Sequence, residues 1–457
     1  MVLRLRTTER RSVVRKNQRN AVPVYVKKAN FALKLEIVNP NIIIIGGGAA
    51  GFFAAITTAE ANPKADITIL ERGKDVLQKV KISGGGRCNV THACFLPREL
   101  VKNYPRGEKA LLSPFMRFSA QDTIDWFAQR NVKLKTEADG RVFPISNDSQ
   151  TIVDCLEREA AHFKVKILRG YRVEDLEQLD NQWLLKTNRQ SFTADKVMVA
   201  AGSSTAVWDL LKRLGHTIVT PVPSLFTFNI KDRRIEGLAG LSVPNATISV
   251  ENTKLKASGP LLITHWGLSG PAILRLSAWG ARTLSEVFYD FTIRINWSGD
   301  LNLEEVKTEL NACKSTTPKK QISSTPQYNI ASRLWQRLLS AAEIFDTLTW
   351  ADVTKKQIQN LAEQIAQGTY AVKGKSTFKD EFVTAGGVKL DEVNFKTFES
   401  KRLPNLFFAG EVLDIDAITG GFNFQAAWTG GWIAGQAMAL IDYTDKTDEK
   451  SNKKQPF

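Results

Sequence analysis

The residues with the clearest chemistry are three glycines, Gly46, Gly48 and Gly51. Their Gly-x-Gly-x-x-Gly spacing suits the pyrophosphate of a dinucleotide. Gly46 lets a strand turn tightly, Gly48 carries no side chain to block the phosphates, and Gly51 lets a helix pack closely on the strand. Ala49 and Ala50 lie within the turn, and the helix read from Phe52 to Ala61 would offer the free N–H groups of its start to the phosphates. An acid is expected about 20 residues on, at the end of the second strand, where it can bind a ribose hydroxyl. Glu71, followed by Arg72, stands there.

A second run, Ser83-Gly84-Gly85-Gly86-Arg87-Cys88-Asn89, leaves bare backbone beside whatever is bound. It reads as a loop wrapping the dinucleotide. Ser83, Gly84, Gly85, Cys88 and Asn89 would lie near the phosphates or ring, with Arg87 as a charged contact. An ordinary glycine turn is the plainer alternative. A third run closes the chain: Gly410-Glu411 and Asp414, then Gly421-Phe422-Asn423-Phe424-Gln425 leading into a helix. This pattern suits a flavin. An acid at a strand end can hold ribityl or ribose hydroxyls. A glycine turn into a helix aims amides at the pyrimidine edge of the ring, where a helix N-terminus stabilises negative charge.

Particular elements must position these residues. Four consecutive isoleucines, Ile42 to Ile45, predict a strand buried on both faces, and an alanine-rich run to Ala61 predicts the helix. Asp66 to Leu70 predicts the second strand. Residues 110–130 predict amphipathic helices, 134–144 a short hairpin, 150–163 a helix, and 165–200 a strand series. The last of that series ends at Ala201-Gly202, a place where ligands meet an open α/β sheet. Residues 222–300 alternate like strands. Residues 303–311, 330–345 and 355–368 predict helices, with Trp335, Leu338 and Leu339 as core. Strand and glycine return at 382–388 and 403–414, and a closing helix runs to Leu440.

The resulting fold class is α/β: a discontinuous Rossmann-like FAD-binding domain with an inserted β-barrel-like domain and a nested helical domain. The expected boundaries are 39–222 for the first part of the FAD-binding domain, 223–300 for the barrel-like insert, 301–375 for the helical part, and 376–445 for a return to the barrel edge and the second part of the FAD-binding domain. A basic N-terminal extension at 1–38 and a polar tail at 446–457 flank them. At 457 residues the chain is too long for one compact core. No apolar run reaches about 18 residues, so no membrane span is expected. Cys88, Cys94, Cys155 and Cys313 form no CxxC pair, which argues against structural zinc or disulfides; no metal is expected, and a reducing cytoplasm fits.

Net charge is +15, and residues 1–38 hold ten Lys/Arg against two acids. Three readings fit that segment: a start codon assigned upstream of the true one, a disordered basic arm, or an organelle transit peptide. The remaining body is basic too. That is a pull toward a polyanion such as RNA, although on charge alone a solvated basic surface is the plainer and preferred reading.

Gly46–Gly51, Ser83–Asn89, Thr264-His265-Trp266-Gly267-Leu268-Ser269-Gly270-Pro271-Ala272-Ile273 and the long run 408–427 together resemble the YhiN-like (BaiN-like, aminoacetone-oxidase-type) family of bacterial FAD-binding oxidoreductases. The resemblance runs from about Ile42 to about Leu440. It implies the three-domain layout and places Gly46, Gly48, Gly51, Glu71, Arg87, Gly410, Glu411 and the 421–425 turn toward FAD. After Ala201-Gly202 the family usually carries a longer glycine-rich run; here 203–214 is compact and holds Trp208, which changes the pocket mouth.

The resemblance further implies reduction of conjugated C=C bonds, with NAD(P)H as a transient reductant. A uracil of large-subunit ribosomal RNA is the preferred acceptor and would become dihydrouridine. A small-molecule enone, or an amine or aminoketone oxidised by the same FAD, is the alternative, and a non-catalytic flavin-binding protein the least favoured. The acceptor carbon needs a proton donor. The candidates are Cys88, His92 and His265, each with a plainer role in packing, on a loop surface, or as a satisfied histidine.

Overall fold

The computed structural model describes residues 39–376 and 383–440. The basic extension 1–38 and the tail 446–457 lie outside the described residues. Strand β1 (Asn41–Ile45) is buried along its isoleucines, and the chain turns at Gly46 into helix α1 (Ala49–Ala61). Strand β2 (Asp66–Glu71) pairs in parallel beside β1. Residues Gln78–Gly86 form helix α2, which leaves helical geometry at Ser83: its ψ is 154°, and Gly84 and Gly85 follow at φ 58° and 68°. The expected loop is therefore the broken end of a helix. Two amphipathic helices (Glu108–Arg117, Ala120–Gln129), a hairpin and a further helix (Gln150–His162) follow as the periodicity predicts. Strands β3 (Lys166–Arg169) and β4 (Lys196–Val199) flank a three-stranded antiparallel ribbon.

Residues 227–376 build a second seven-stranded sheet, antiparallel throughout. The β-rich stretch also carries a helix not expected from alternation, α3 (Pro271–Glu286). Gly270 and Pro271 start it, the order expected at a helix N-terminus. Its Ala272, Ile273, Leu276 and Leu284 are buried against the sheet. Helices α4 (Ser332–Ala341) and α5 (Lys355–Gln367) complete this half, with Trp335, Leu338 and Leu339 in the core.

The chain returns through β5 (Leu406–Phe408) and ends the described part with helix α6 (Phe422–Met438). The first sheet then reads β5–β4–β1–β2–β3, all parallel, with two short antiparallel strands on the β5 edge. Helices α1 and α6 touch closely because glycine allows it. A Cβ on Gly431 would lie 2.7 Å from the Ala50 carbonyl oxygen, and one on Gly435 2.8 Å from that of Ala54. The buried side chains fall into two clusters. One lies around the parallel sheet and the other around the antiparallel sheet and helices α3 to α5.

Candidate cofactor site

The predicted motifs meet at the carboxyl ends of β1, β4 and β5. Gly46, at φ 113°, accepts the sharp turn, and its N–H donates to the Leu70 carbonyl at 2.9 Å. A Cβ on Gly51 would lie 2.1 Å from the Gly46 carbonyl oxygen, so helix and strand could not come this close with alanine there. At Gly48, by contrast, a Cβ would meet nothing within 4 Å. That opening faces no protein atom and sits at the start of α1, which has no side-chain cap and no acid in its first turn. Its free N–H groups and partial positive charge suit an anion. The same opening stands at Gly85, whose Cβ would also meet nothing.

Glu71 is half-buried and oriented by two backbone donors, Gly47 N–H at 2.9 Å and Gly73 N–H at 2.6 Å. It therefore faces the glycine turn with its carboxylate fixed. Gly202, at φ 62°, and Gly410, at φ 76°, end β4 and β5. A Cβ on Gly202 would lie 3.8 Å from Glu411 Oε2. Glu411 is ion-paired with Lys79 of α2, a contact that the spacing alone did not reveal. Arg72 is exposed, and Ala49 and Ala201 are half-buried near the turn.

A second open helix start belongs to α6. Gly421, at φ 91°, precedes it with no side-chain cap and no acid in the first turn. A Cβ there would lie 2.6 Å from the Thr91 carbonyl. Asn89 is buried and holds this turn: its Oδ1 accepts from Gly421 N–H at 3.0 Å and its Nδ2 donates to the Thr91 carbonyl at 3.0 Å. Tyr104, fully buried, donates to the Phe422 carbonyl at 2.6 Å; desolvation pushes its pKa well up, so it stays a donor.

Several expected cofactor contacts point elsewhere. Gln425 has no exposed surface, accepts from Thr91 and Thr123 hydroxyls at 2.6 and 2.9 Å, and donates to Thr429. Asn423 closes the 417–423 loop through Ala417 N–H and carbonyl. Asp414 is held bidentately by Arg282 of α3 at 2.7 Å. Arg87 pairs with Glu137 at 2.7 Å and lies 3.9 Å over the Phe143 ring. Ser83 donates to the Val80 carbonyl at 2.9 Å. Short polar side chains in glycine-rich runs often serve the backbone itself, as Asn423 and Ser83 do, while Gln425, Asp414 and Arg87 are taken up by other side chains.

Cys88 lies wholly inside the first core, and burial pushes its thiol up to about 12. A side chain with no exposed surface cannot touch an acceptor unless its surroundings open. His92 is half-buried and stacks on Phe422 at 4.6 Å. Its Nε2 donates to the Asp139 carbonyl at 3.1 Å, while its buried Nδ1 has no protein partner. Burial lowers its pKa, with the Asp139 carbonyl acting against that. His265 is exposed on the turn joining two strands of the antiparallel sheet.

Sequence reasoning passed over Asp416. It is fully buried, ion-paired with Arg106 and bonded to the Ser224 hydroxyl. Arg106 also donates to the Ala278 carbonyl of α3 at 2.7 Å. The pair thus ties the loop after β5 to the insert. The available signal was an acid two residues after Asp414 with an arginine far upstream, which spacing cannot connect. Among the described residues no cluster of three or more His, Cys, Asp or Glu could hold a metal, and no helix is long and apolar enough to cross a membrane.

A parallel sheet, a glycine turn into an uncapped helix, an oriented acid on β2 and a second open helix start define the class: an FAD-dependent oxidoreductase of Rossmann type. The model of the HI0933-like protein Rossmann domain matches residues 40–437, and the chain belongs to that family. It is 28% identical over 413 residues to the 3-dehydro-bile acid delta(4,6)-reductase of Clostridium scindens, covering 87% of this chain and 99% of that protein. It is 28% identical over 411 residues to the ribosomal RNA dihydrouridine synthase of Haemophilus influenzae, covering 87% and 98%. A 3-ketosteroid-delta4-(5alpha)-dehydrogenase from Rhodococcus jostii RHA1 aligns over 90% of this chain and 99% of its own at TM-score 0.48 and 13% identity.

Proposed function

We propose that the chain uses FAD to reduce a C=C bond conjugated to a carbonyl, with NAD(P)H as the electron source. The observation carrying this reading is the pair of helix starts at Gly48 and Gly421, both without a side-chain cap and without a competing acid in the first turn. One suits a pyrophosphate, and the other suits an anionic ring edge. When bound, FAD supplies hydride transfer. Gly46 to Gly51, Glu71, Gly202, Gly410 and Glu411 would hold it.

The net reaction adds a hydride and a proton across the double bond and oxidises NAD(P)H. Of the three candidate proton donors our choice is His92, which stacks on Phe422 at the start of α6; because its Nε2–H is held by the Asp139 carbonyl, it would donate from the protonated ring through Nδ1. The two relatives, named a 3-dehydro-bile acid delta(4,6)-reductase and a ribosomal RNA dihydrouridine synthase, support this reading by name. We favour a uracil of ribosomal RNA, because the chain stays basic, at +7, after the +8 of residues 1–38 is set aside from its net +15. A steroid-like enone is the second reading, supported by the relative from Clostridium scindens.

Nucleoside mass spectrometry of ribosomal RNA with and without the gene is the test. Loss of a dihydrouridine supports the RNA reading. An unchanged profile, with turnover of a conjugated enone by the purified holoenzyme, supports the second.

A further inference from the structure

The start of α6 offers more than a helix dipole. Gly421 gives its N–H to Asn89, and the first bond into the helix runs from Gln425 N–H to the Gly421 carbonyl at 3.0 Å. The N–H groups of Phe422, Asn423 and Phe424 meet no acceptor among the described residues. These three free donors on one turn are the groups that would face a ring edge.

One side chain reaches this turn from its carbonyl side. Tyr104 has no exposed surface, and its hydroxyl donates to the Phe422 carbonyl at 2.6 Å. That carbonyl belongs to the same peptide unit as the Asn423 N–H. A donor on an amide oxygen draws electron density toward it and leaves the N–H more positive, so hydrogen bonds in a chain strengthen one another. Burial enlarges the effect, because little water is present to screen it. The Asn423 N–H is thus a stronger donor than an ordinary first-turn amide.

A short brace aims Tyr104 at this carbonyl. Residues 103–107 run beside 415–418. Ile418 N–H donates to the Asn103 carbonyl at 3.1 Å and Asp416 N–H to that of Arg106 at 3.4 Å, and a Cβ on Gly107 would lie 3.0 Å from Ile415. The Tyr104 ring packs against Phe115 at 5.3 Å and meets Phe422 edge-on at 6.3 Å. Phenylalanine would serve that packing as well. A buried hydroxyl is costly unless it is bonded, and what this one adds is its bond to α6.

We infer that Tyr104 is a positioning residue that raises the reduction potential of the bound flavin, by polarising the 422–423 peptide whose N–H faces the ring edge. The inference rests on the cofactor reading above, and not on the choice of acceptor. The test measures the potential of the holoenzyme by dye equilibration, with FAD content and thermal melting followed alongside. Tyr104→Phe keeps the ring and loses the hydroxyl. It is expected to lower the preference for reduced over oxidised cofactor about threefold, or about 14 mV for a two-electron couple, at unchanged FAD content. 3-Fluorotyrosine in place of Tyr104 keeps the bond and makes the phenol more acidic, hence a better donor. It is expected to move the potential the other way, and a role in packing alone would not produce opposite shifts.

Asn423→Asp is the reference. It sets a negative charge in the first turn, where an acid favours the helix, and it must lower the potential if this turn faces the ring. A shift with Asn423→Asp and none with either replacement of Tyr104 overturns the role of Tyr104 and leaves the cofactor reading intact. Shifts in the same direction from both replacements overturn that role as well. No shift with any of the three removes the reading of the α6 start and the inference together. Should Tyr104→Phe fail to retain FAD, the fluorotyrosine protein decides alone: a raised potential supports the role and an unchanged one overturns it.

Discussion

Gly48 and Gly51 occupy the same turn but answer to different constraints. At Gly51 a Cβ would stand 2.1 Å from a carbonyl oxygen, so Gly51→Ala must push α1 off β1. A cost of about 3 kcal/mol is expected, seen as a lower melting temperature of the apoprotein. At Gly48 the backbone is extended and the space is open. Gly48→Ala should change apoprotein melting by less than about 1 kcal/mol while weakening FAD binding tenfold or more, as read by flavin fluorescence. Equal losses of both properties in both variants would show that the opening at Gly48 is not where the cofactor lies. Gly51 was legible because a turn that brings backbone against backbone permits no other residue, and Gly48 because its spacing marks where a phosphate must approach the chain. Gln425, Asn423 and Asp414 were not. A polar side chain beside a glycine run looks the same on paper whether it faces a ligand or ties its own loop, and only the positions of Thr91, Ala417 and Arg282 decide between them.

At the scale of elements, two clamps hold the edges that frame the site. Arg106 links the loop after β5 to α3. Burial pushes Asp416 up, and the Arg106 guanidinium opposes that. Arg106→Leu would leave Asp416 buried and unpaired, a loss of about 3–5 kcal/mol measurable by thermal melting. Asp416→Asn in the same background should recover part of it. The other clamp joins His216 to Glu392, which also accepts from Thr217 and Arg402. Burial works to raise the Glu392 carboxyl, but Arg402, Thr217 and His216 together bring it down to about 2. Its folded pKa is depressed, so its contribution is present above the unfolded value and is lost as pH falls toward 2. Burial likewise lowers His216, whose neutral form favours the fold above its ordinary pKa. Stability should therefore decline in two stages on acidification, first below about 6.5 and then between about 4.5 and 2. Glu392→Gln should flatten the second stage, with a loss at neutral pH of about 3 kcal/mol; an unchanged acid limb in melting scans would exclude this clamp. Elements with a clean period were readable in advance. Helix α3 was hidden because its surroundings alternate, although Gly270-Pro271 marked its start.

At the scale of the whole molecule, the site is assembled from segments far apart in the chain. Residues 46–51, 202, 410–411 and 421 meet only because β4 and β5 pair beside β1. No local pattern announces that pairing; repeated buried strands ending in glycine only make it plausible. The consequence is thermodynamic. A cofactor that binds only the folded assembly stabilises it by mass action, by about 2.7 kcal/mol at a hundredfold excess over its dissociation constant. That stabilisation should fall unevenly. The core around the parallel sheet contains the glycine motifs of the cofactor site, whereas the core around the antiparallel sheet and α3 to α5 contains only the run 264–273. Hydrogen exchange of holo and apo protein is then expected to differ most at 46–51, 83–89 and 410–425. Strands Ser242–Val250 and Asp290–Asn296 should exchange alike in both forms. Equal slowing of exchange across both cores on FAD binding would mean that they unfold as one cooperative unit. Protection confined to the antiparallel sheet would place the cofactor elsewhere and overturn the site itself.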